Sequence, residues 1–398
     1  MDWQILQPVK RLAAPQRWAT IALLALSPGC SSEETEPAAP QPAACPDEHE
    51  LALPDGSCIR PGVPLDGCAE GFVHDGAYGC EPILPAETCP AGLMAVPGED
   101  SCRAVMDCGQ GPWGDLPVDG STQYVDGSYG GGDADGSEAR PWPTIGQAVT
   151  AAAPGALIAV AAGSYGEELL IQGKAVRLWG RCPEQVVIEA TGQALAPCPP
   201  TAVCILDGAD GSEVGGLAIR GPGIGILLSG SENVLVDRVR VHDNATRGID
   251  AEATLGPTSI ELRGSLIEQN REAGLLLLGV SATVDASVVR GTLPRASDQT
   301  AGRGLNIQSE CASTPGGGNC DPAARSNVSL SRSLIEQNHD MGVYLVDSGA
   351  TVDASVVRAT WPQASDQDYG IGLFLKLQCS ETSAGLQCDP ATRSTASV

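Results

Sequence analysis

Carboxylates are the residues of this chain best suited by type to do chemistry. Asp243, Asp250, Glu252, Glu268, Asp285, Glu336 and Asp353 all fall in its second half. Two carboxylates facing one cleft can share the acid and base work of glycosidic cleavage. Arg290 and Arg358 offer a second chemistry, an arginine base beside a cation-bound acidic substrate. A third set is Asp126, Asp133 and Asp135 in DGSYGGGDADGSE, an oxygen-rich, Gly-spaced loop of the kind that wraps calcium. Glu138 comes too early for the usual bidentate position, so a metal-free Asp/Gly turn competes with a structural calcium ion. The four histidines, His49, His74, His242 and His339, include no pair with zinc-site spacing. That argues against a histidine metal site or a His-dependent hydrolase.

The spacing of these groups weakens the catalytic option. SLIEQN at 265–270 returns at 333–338, and TVDASVVR at 283–290 returns at 351–358, a constant offset of 68 residues. Glu268 and Glu336, Asp285 and Asp353, and Arg290 and Arg358 are therefore repeat equivalents. A catalytic pair is normally unique, whereas stacked units present the same face again and again. These charges are expected to form ladders on a solvated face. The same logic places Asn244, Asn270 and Asn338 at one recurring turn, with Thr292 and Thr360 in the matching place of other coils. Inward asparagines there would bond backbone groups that the turn leaves unpaired.

The formal charge of −26 repels nucleic acid and anionic lipid, so neither is expected as a partner. Lys10, Arg11 and Arg17 precede the apolar run WATIALLAL and then SPGC at 27–30, the layout of a secretory signal. The run is too short to span a bilayer. Its end resembles a bacterial lipobox, with Leu26 one residue farther upstream than usual, which implies lipid attachment at Cys30. The following SSEETEPAAPQPAA has the composition of a flexible tether. Contact with a membrane is expected only through that anchor, at the bacterial outer membrane or cell surface.

Fifteen cysteines in an exported chain imply a disulfide framework. With Cys30 lipidated, fourteen remain. Cys311 with Cys320, and Cys379 with Cys388, should close locally, because each repeat copy must be self-sufficient. Seven others lie between Cys45 and Cys108, and three are Cys182, Cys198 and Cys204. Both groups are odd, so one bridge is expected to join the Cys-rich stretch to the next domain. A stretch so small buries little core, and bridges must replace burial.

From Gln123 the texture changes. Thr144 with Gln147 predicts a capping box opening a short helix through Ala153, stopped by Pro154-Gly155. LIAVAA at 157–162 and AVRLWG at 175–180 read as buried strands. The passage 122–190 resembles the N-terminal cap and first coil of right-handed parallel β-helix proteins of the pectin-lyase-like superfamily. LRGSLIEQN at 262–270 is similar to the repeat of carbohydrate-binding and sugar-hydrolase β-helices. Strand starts recur about every 20–30 residues, one coil of three short strands. The inserts LPRASDQTAGR and WPQASDQDYGI should project from one face, where such a fold builds binding surfaces. No signature string of polygalacturonases or pectin methylesterases is present.

The sequence thus predicts an all-β chain. Residues 1–29 form a lipoprotein-type signal, 30–44 a tether, 45–118 a disulfide-stapled module, and 119–398 a right-handed parallel β-helix with a short capping helix. DPATRSTASV at the end matches DPAARSNVSL of the first copy, so the last coil is expected to continue beyond Val398. The expected role is structural or recognition, with a polysaccharide or another surface protein as partner. The alternative implied by the resemblance is a carbohydrate-active enzyme, a polysaccharide lyase or glycosidase.

Overall fold

The computed structural model describes Cys45 and residues 50–53, 55–59, 61–314, 317–320, 324–376, 379–382, 385–388 and 394–397. The signal segment, Cys30 and the tether lie outside the described residues. The chain divides into two compact units, Met1–Arg60 and Pro61–Val398. In the first, Cys45–Cys58 closes a hairpin of Leu51–Ala52 with Cys58–Ile59. The stretch read as one Cys-rich module spans this division, and its remainder, 61–118, belongs to the second unit.

The second unit is a right-handed parallel β-helix. Among the described residues its three parallel sheets hold ten, eight and eight strands. Sheet A includes Leu157–Val160, Arg177–Gly180, Val234–Asp237, Ser259–Arg263, Ser281–Asp285 and Asn327–Ser331. Sheet C includes Arg240–His242, Leu266–Glu268, Val288–Arg290 and Leu334–Glu336. Sheet B includes Arg247–Glu252, Ala273–Leu278, Arg303–Gln308 and Met341–Val346. The chain runs A, C, B and back to A, each turn of the coil pairing with the one before.

Register makes columns of like residues. Val236, Leu262, Val284 and Leu330 stack inward from sheet A, and Val241, Ile267, Val289 and Ile335 from sheet C. All belong to one continuous core and are at most 1 % exposed. Each such side chain contributes about 1.5–3 kcal/mol by leaving water. The helix Ile145–Ala151 caps the open end, with Thr144 Oγ1 accepting from Gln147 N. It stops two residues before the predicted Ala153. Ala152 already has extended backbone, ψ 134°, and Pro154 disfavours helix in the residue before it.

Coils are less uniform than the predicted 20–30 residues. Equivalent serines Ser287 and Ser333 lie 46 residues apart, but Ser333 and Ser355 only 22. The long coil carries both an insert and an antiparallel hairpin, Cys311–Thr314 with Gly317–Cys320, and the next long coil repeats the hairpin at Cys379–Thr382 and Gly385–Cys388. One short and one long coil make up the 68-residue repeat.

Residues 61–118 form a strap that lies on the outer face of sheet C around residues 89–96 and borders sheet A at 103–117. Cys68–Cys80 and Cys89–Cys102 staple it internally, and Cys108–Cys182 ties it to the first coil, the bridge that the odd cysteine counts require. Cys198–Cys204 closes a short loop. Met94, Val96 and Val105 pack on Leu266, Val288 and Leu334, which point outward from sheet C.

Candidate functional site

All three turns are zipped by side-chain ladders. Between sheets C and B, Asn270 Oδ1 accepts from Asn244 N (3.1 Å) and Asn244 Nδ2 (2.8 Å), while Asn270 Nδ2 donates to Val241 O (2.8 Å). Asn338 Oδ1 accepts from Thr292 N (3.0 Å), and Asn338 Nδ2 donates to Val289 O (3.0 Å). All three asparagines are at most 1 % exposed, so they hold coils together and face no ligand. Between sheets A and C a serine ladder does the same. Ser287 Oγ accepts from Ser265 N, and Ser333 Oγ from Ser287 N, each at 3.1 Å. Between sheets B and A, Ser212, Ser231 and Ser326 Oγ accept from Val176 N, Ala209 N and Val280 N at 3.1–3.2 Å. The sequence reading missed both serine ladders, although Ser265, Ser287, Ser333 and Ser355 each stand immediately before a sheet C strand.

These ladders leave the outer face of sheet A free of turn machinery. Ser281, Asn327 and Thr395 share one outward position, and Thr283, Ser329, Thr351 and Ser397 share the next. Together with Ser259, Ile260 and Glu261 they line a groove of about 700 Å³ crossing successive coils. Glu261 is the one charged group among the described lining residues. The two hairpins leave the coil just before Asn327–Ser331 and Thr395–Ser397, at the sheet B to sheet A turn. Their backbone register sets Cys311 opposite Cys320 and Cys379 opposite Cys388. The side chains of these four cysteines lie outside the described residues.

None of the seven candidate carboxylates lines this groove. Glu268 and Glu336 belong instead to a column on the outer face of sheet C, where Glu189, Arg220, His242, Glu268, Arg290, Glu336 and Arg358 follow one another on adjacent strands. Opposite charges on neighbouring strands satisfy each other: Arg220 with Glu189 (3.0 Å), Arg290 with Glu268 (2.6 Å), Arg358 with Glu336 (2.8 Å). The predicted solvated face is wrong here, since Glu268 and Glu336 are each 2 % exposed and Arg290 4 %. The strap covers them. Asp285 pairs with Arg332 and Ser331, and Arg332 holds its carboxyl below the usual range against the opposing effect of burial. Asp243 sits on His242, and Asp353 is exposed.

Asp250 and Glu252 are brought together, outward on one strand of sheet B. Burial pushes both carboxyls up, with Arg247 opposing the shift at Asp250. Arg247 bonds Asp250 Oδ2 at 2.6 Å and Glu272 at 2.9 Å, while Asp250 Oδ1 is buried without a protein partner. Neither residue recurs, as the same positions in the next coil hold Leu276 and Leu278.

The calcium candidates are held by protein groups. Asp126 accepts from Ser128, Asp133 from Tyr129 Oη at 2.7 Å, and Asp135 from Ser137 and Arg140. The three are not among the carboxylate or cysteine groups whose ligand atoms converge within 4.8 Å. An ion there would have to displace Arg140 from Asp135.

No family model matches this chain, and no curated protein matches it. Among solved structures it is similar to pectin methylesterase PemA from Erwinia chrysanthemi, at 11% identity and a TM-score of 0.38, over 69% of this chain and 87% of that one. It is also similar to pectate lyase Pel9A, at 14% identity and a TM-score of 0.38, over 58% and 69%. A third is the catalytic domain of a GH87 alpha-1,3-glucanase in complex with nigerose, at 14% and 0.36, where 70% of this chain spans 51% of that one. The fold assignment rests on the strand register of this chain itself.

Proposed function

We propose that this chain is an exported, lipid-anchored bacterial surface protein whose β-helix binds a neutral polysaccharide across the outer face of sheet A without cleaving it. The observation that carries this is the pair of hydroxyl and amide columns in the groove. Adjacent coils repeat about every 4.8 Å, so a linear polymer laid across them meets the same donors and acceptors at each step. A lining uncharged except for Glu261 favours a neutral glycan, and the −26 charge of the chain disfavours an acidic one. The absence of all seven candidate carboxylates from the lining favours binding over turnover.

The test is a glycan array and affinity electrophoresis with the mature protein and its Thr283→Val/Thr351→Val variant. These changes keep the β-branched shape and remove two hydroxyls from one column. Binding to a neutral glycan that falls at least tenfold in the variant supports the proposal. Selective binding of acidic glycans, or no effect of the variant, overturns it. For the anchor, mass spectrometry of the membrane fraction should find a mature chain beginning at a lipid-modified Cys30.

The second reading, a carbohydrate-active enzyme, is favoured by one observation: the non-duplicated pair Asp250 and Glu252, both raised by burial. Release of reducing sugar that Asp250→Asn abolishes would establish it in place of pure binding.

A further inference from the structure

A second cleft lies at the other end of sheet A, walled by strap residues 103–117 and floored by the first coils. Its volume is about 810 Å³. That is within the roughly 300–1,000 Å³ of small-molecule sites. We propose that it binds a small amphipathic monoanion, one carboxylate or sulfate group carried on an apolar chain. This does not rest on the glycan groove, whose lining shares no residue with the cleft although the two meet at the coils of Val234–Asp237 and Ser259–Arg263.

The floor is rigid before any ligand arrives. Trp179 Nε1 donates to Glu213 Oε2 at 2.8 Å, and the Arg238 guanidinium stacks 5.2 Å from the indole centre. The indole lies across Gly215, where a Cβ would come within 2.6 Å of the ring. The wall is pinned by Cys108–Cys182 and by Arg181, which donates to Cys108 O (2.9 Å) and Gly109 O (3.1 Å). Preorganisation of both sides lowers the cost of binding.

Donors outnumber acceptors inside. Glu213 has its other oxygen on Arg177 at 3.0 Å, and Asp237 has both oxygens on Arg263 and Arg238 at 3.1–3.4 Å. The oxygens of Glu213 and Asp237 are therefore engaged, whereas each guanidinium carries five N–H groups, more than these contacts and the 3.7 Å approach of Glu261 to Arg263 use. The Arg177, Arg238 and Arg263 side chains keep 35 %, 44 % and 47 % exposure. A planar oxyanion is the ligand that such forks accept best.

The remaining lining restricts the ligand further. Val105, Met106, Leu116 and Leu235 give apolar walls that a bare inorganic ion would not use. Asp107 and Asp115 line the same cleft and are exposed, so a second negative charge on the ligand meets repulsion. One charge and one apolar body satisfy both conditions.

Octanoate and octyl sulfate are the probes, with octanol and inorganic sulfate as half-ligands, read by calorimetry and tryptophan fluorescence on the full mature protein. The expected result is saturable binding of both full probes, at least tenfold tighter than either half-ligand. Arg263→Ala should weaken octanoate at least tenfold, with an unchanged near-UV circular dichroism spectrum, and Trp179→Phe should remove most of the fluorescence response. Octanol binding as tightly as octanoate, sulfate as tightly as octyl sulfate, or no saturable signal from octanoate overturns the proposal. If Arg263→Ala fails to fold, Arg177→Ala is measured in its place, with the same criterion.

Discussion

The two repeat copies contain the same ion pair in two different environments. In the first, Glu268 and Arg290 keep 2 % and 5 % side-chain exposure, and the strap completes their bonding. Gly92 N donates to Glu268 Oε1 at 2.8 Å, while Arg290 donates to Cys89 O, Pro90 O and Leu93 O at 2.9–3.0 Å. In the second copy Glu336 is equally buried, but the Arg358 side chain is 38 % exposed and, among the described residues, bonds Glu336 alone. Identical residues at identical register thus differ because the strap backbone bonds and encloses the guanidinium of the first pair and leaves that of the second half-exposed. A buried charge needs every lone pair and N–H satisfied, and the strap backbone does that for the first copy.

Detaching the strap is the most drastic way to break this difference. Cys108–Cys182 closes a loop with a sequence separation of 74 residues. Replacing both cysteines by alanine should cost about 4 kcal/mol on chain-entropy grounds. Urea melts of the variant, with hydrogen exchange at Gly92, check both the loss and its site. If exchange at Gly92 stays as slow as in the parent, the strap holds without its bridge and packing of Met94 and Val96 is the stronger tie.

The ion pairs themselves come next. Arg290→Ala leaves Glu268 buried with only Arg240 and the Gly92 N–H for company, and should cost about 3 kcal/mol. Arg358→Ala also strands a buried carboxylate, but water can enter where the half-exposed guanidinium stood, so it should cost less, about 1–2 kcal/mol. Equal losses in denaturant midpoint would mean that the strap does not change the energetics of the pair.

The interior ladder should show no such asymmetry, which sharpens the comparison. Asn270 and Asn338 are sealed inside the coil in both copies, out of reach of the strap. Removing either amide strands a backbone N–H and a carbonyl, so Asn270→Ala and Asn338→Ala should each cost about 2 kcal/mol. A difference between them greater than about 1 kcal/mol would show that strap coverage extends to the core.

What the sequence disclosed follows from this division between inside and outside. The columns Val236–Leu330 and Val241–Ile335, the asparagine turn and the capping helix are set by local period and by bonds between neighbouring coils, so a repeat pattern reveals them. The parity of the cysteines even required the bridge between strap and coil. Burial of Glu268 and Arg290 was not legible, because nothing in SLIEQN or TVDASVVR says that Met94 and Val96, some 170 residues upstream, will lie on top. One signal was available and unused: position by position, Glu268, Arg290, Glu336 and Arg358 alternate in sign, as neighbours on one sheet face must if they are to be covered. Both clefts on sheet A were equally hidden, since each is made by register across coils or by the strap wall.

The smallest effect concerns the one member of the charge column that can change its charge near neutral pH. His242 lies between Arg220 and Glu268, its side chain 8 % exposed, with Nδ1 2.7 Å from Asp243 Oδ2. Burial pushes the imidazole below its ordinary value of 6.5, Arg240 adds to that, and the bond to Asp243 with the charge of Glu268 only partly offsets it. The folded state therefore binds a proton less readily than the unfolded chain, for which the ordinary value holds. By linkage, stability is full above pH 6.5 and falls as the pH drops from there toward the lower folded-state value. His242→Gln keeps a polar side chain that cannot protonate, so it should flatten this part of the curve while leaving the acid limb set by the carboxylates. Thermal melts between pH 7.5 and 5 for parent and variant decide it. A parent that gains stability over that range would mean that Asp243 outweighs burial, and that the column is built to hold a charged histidine.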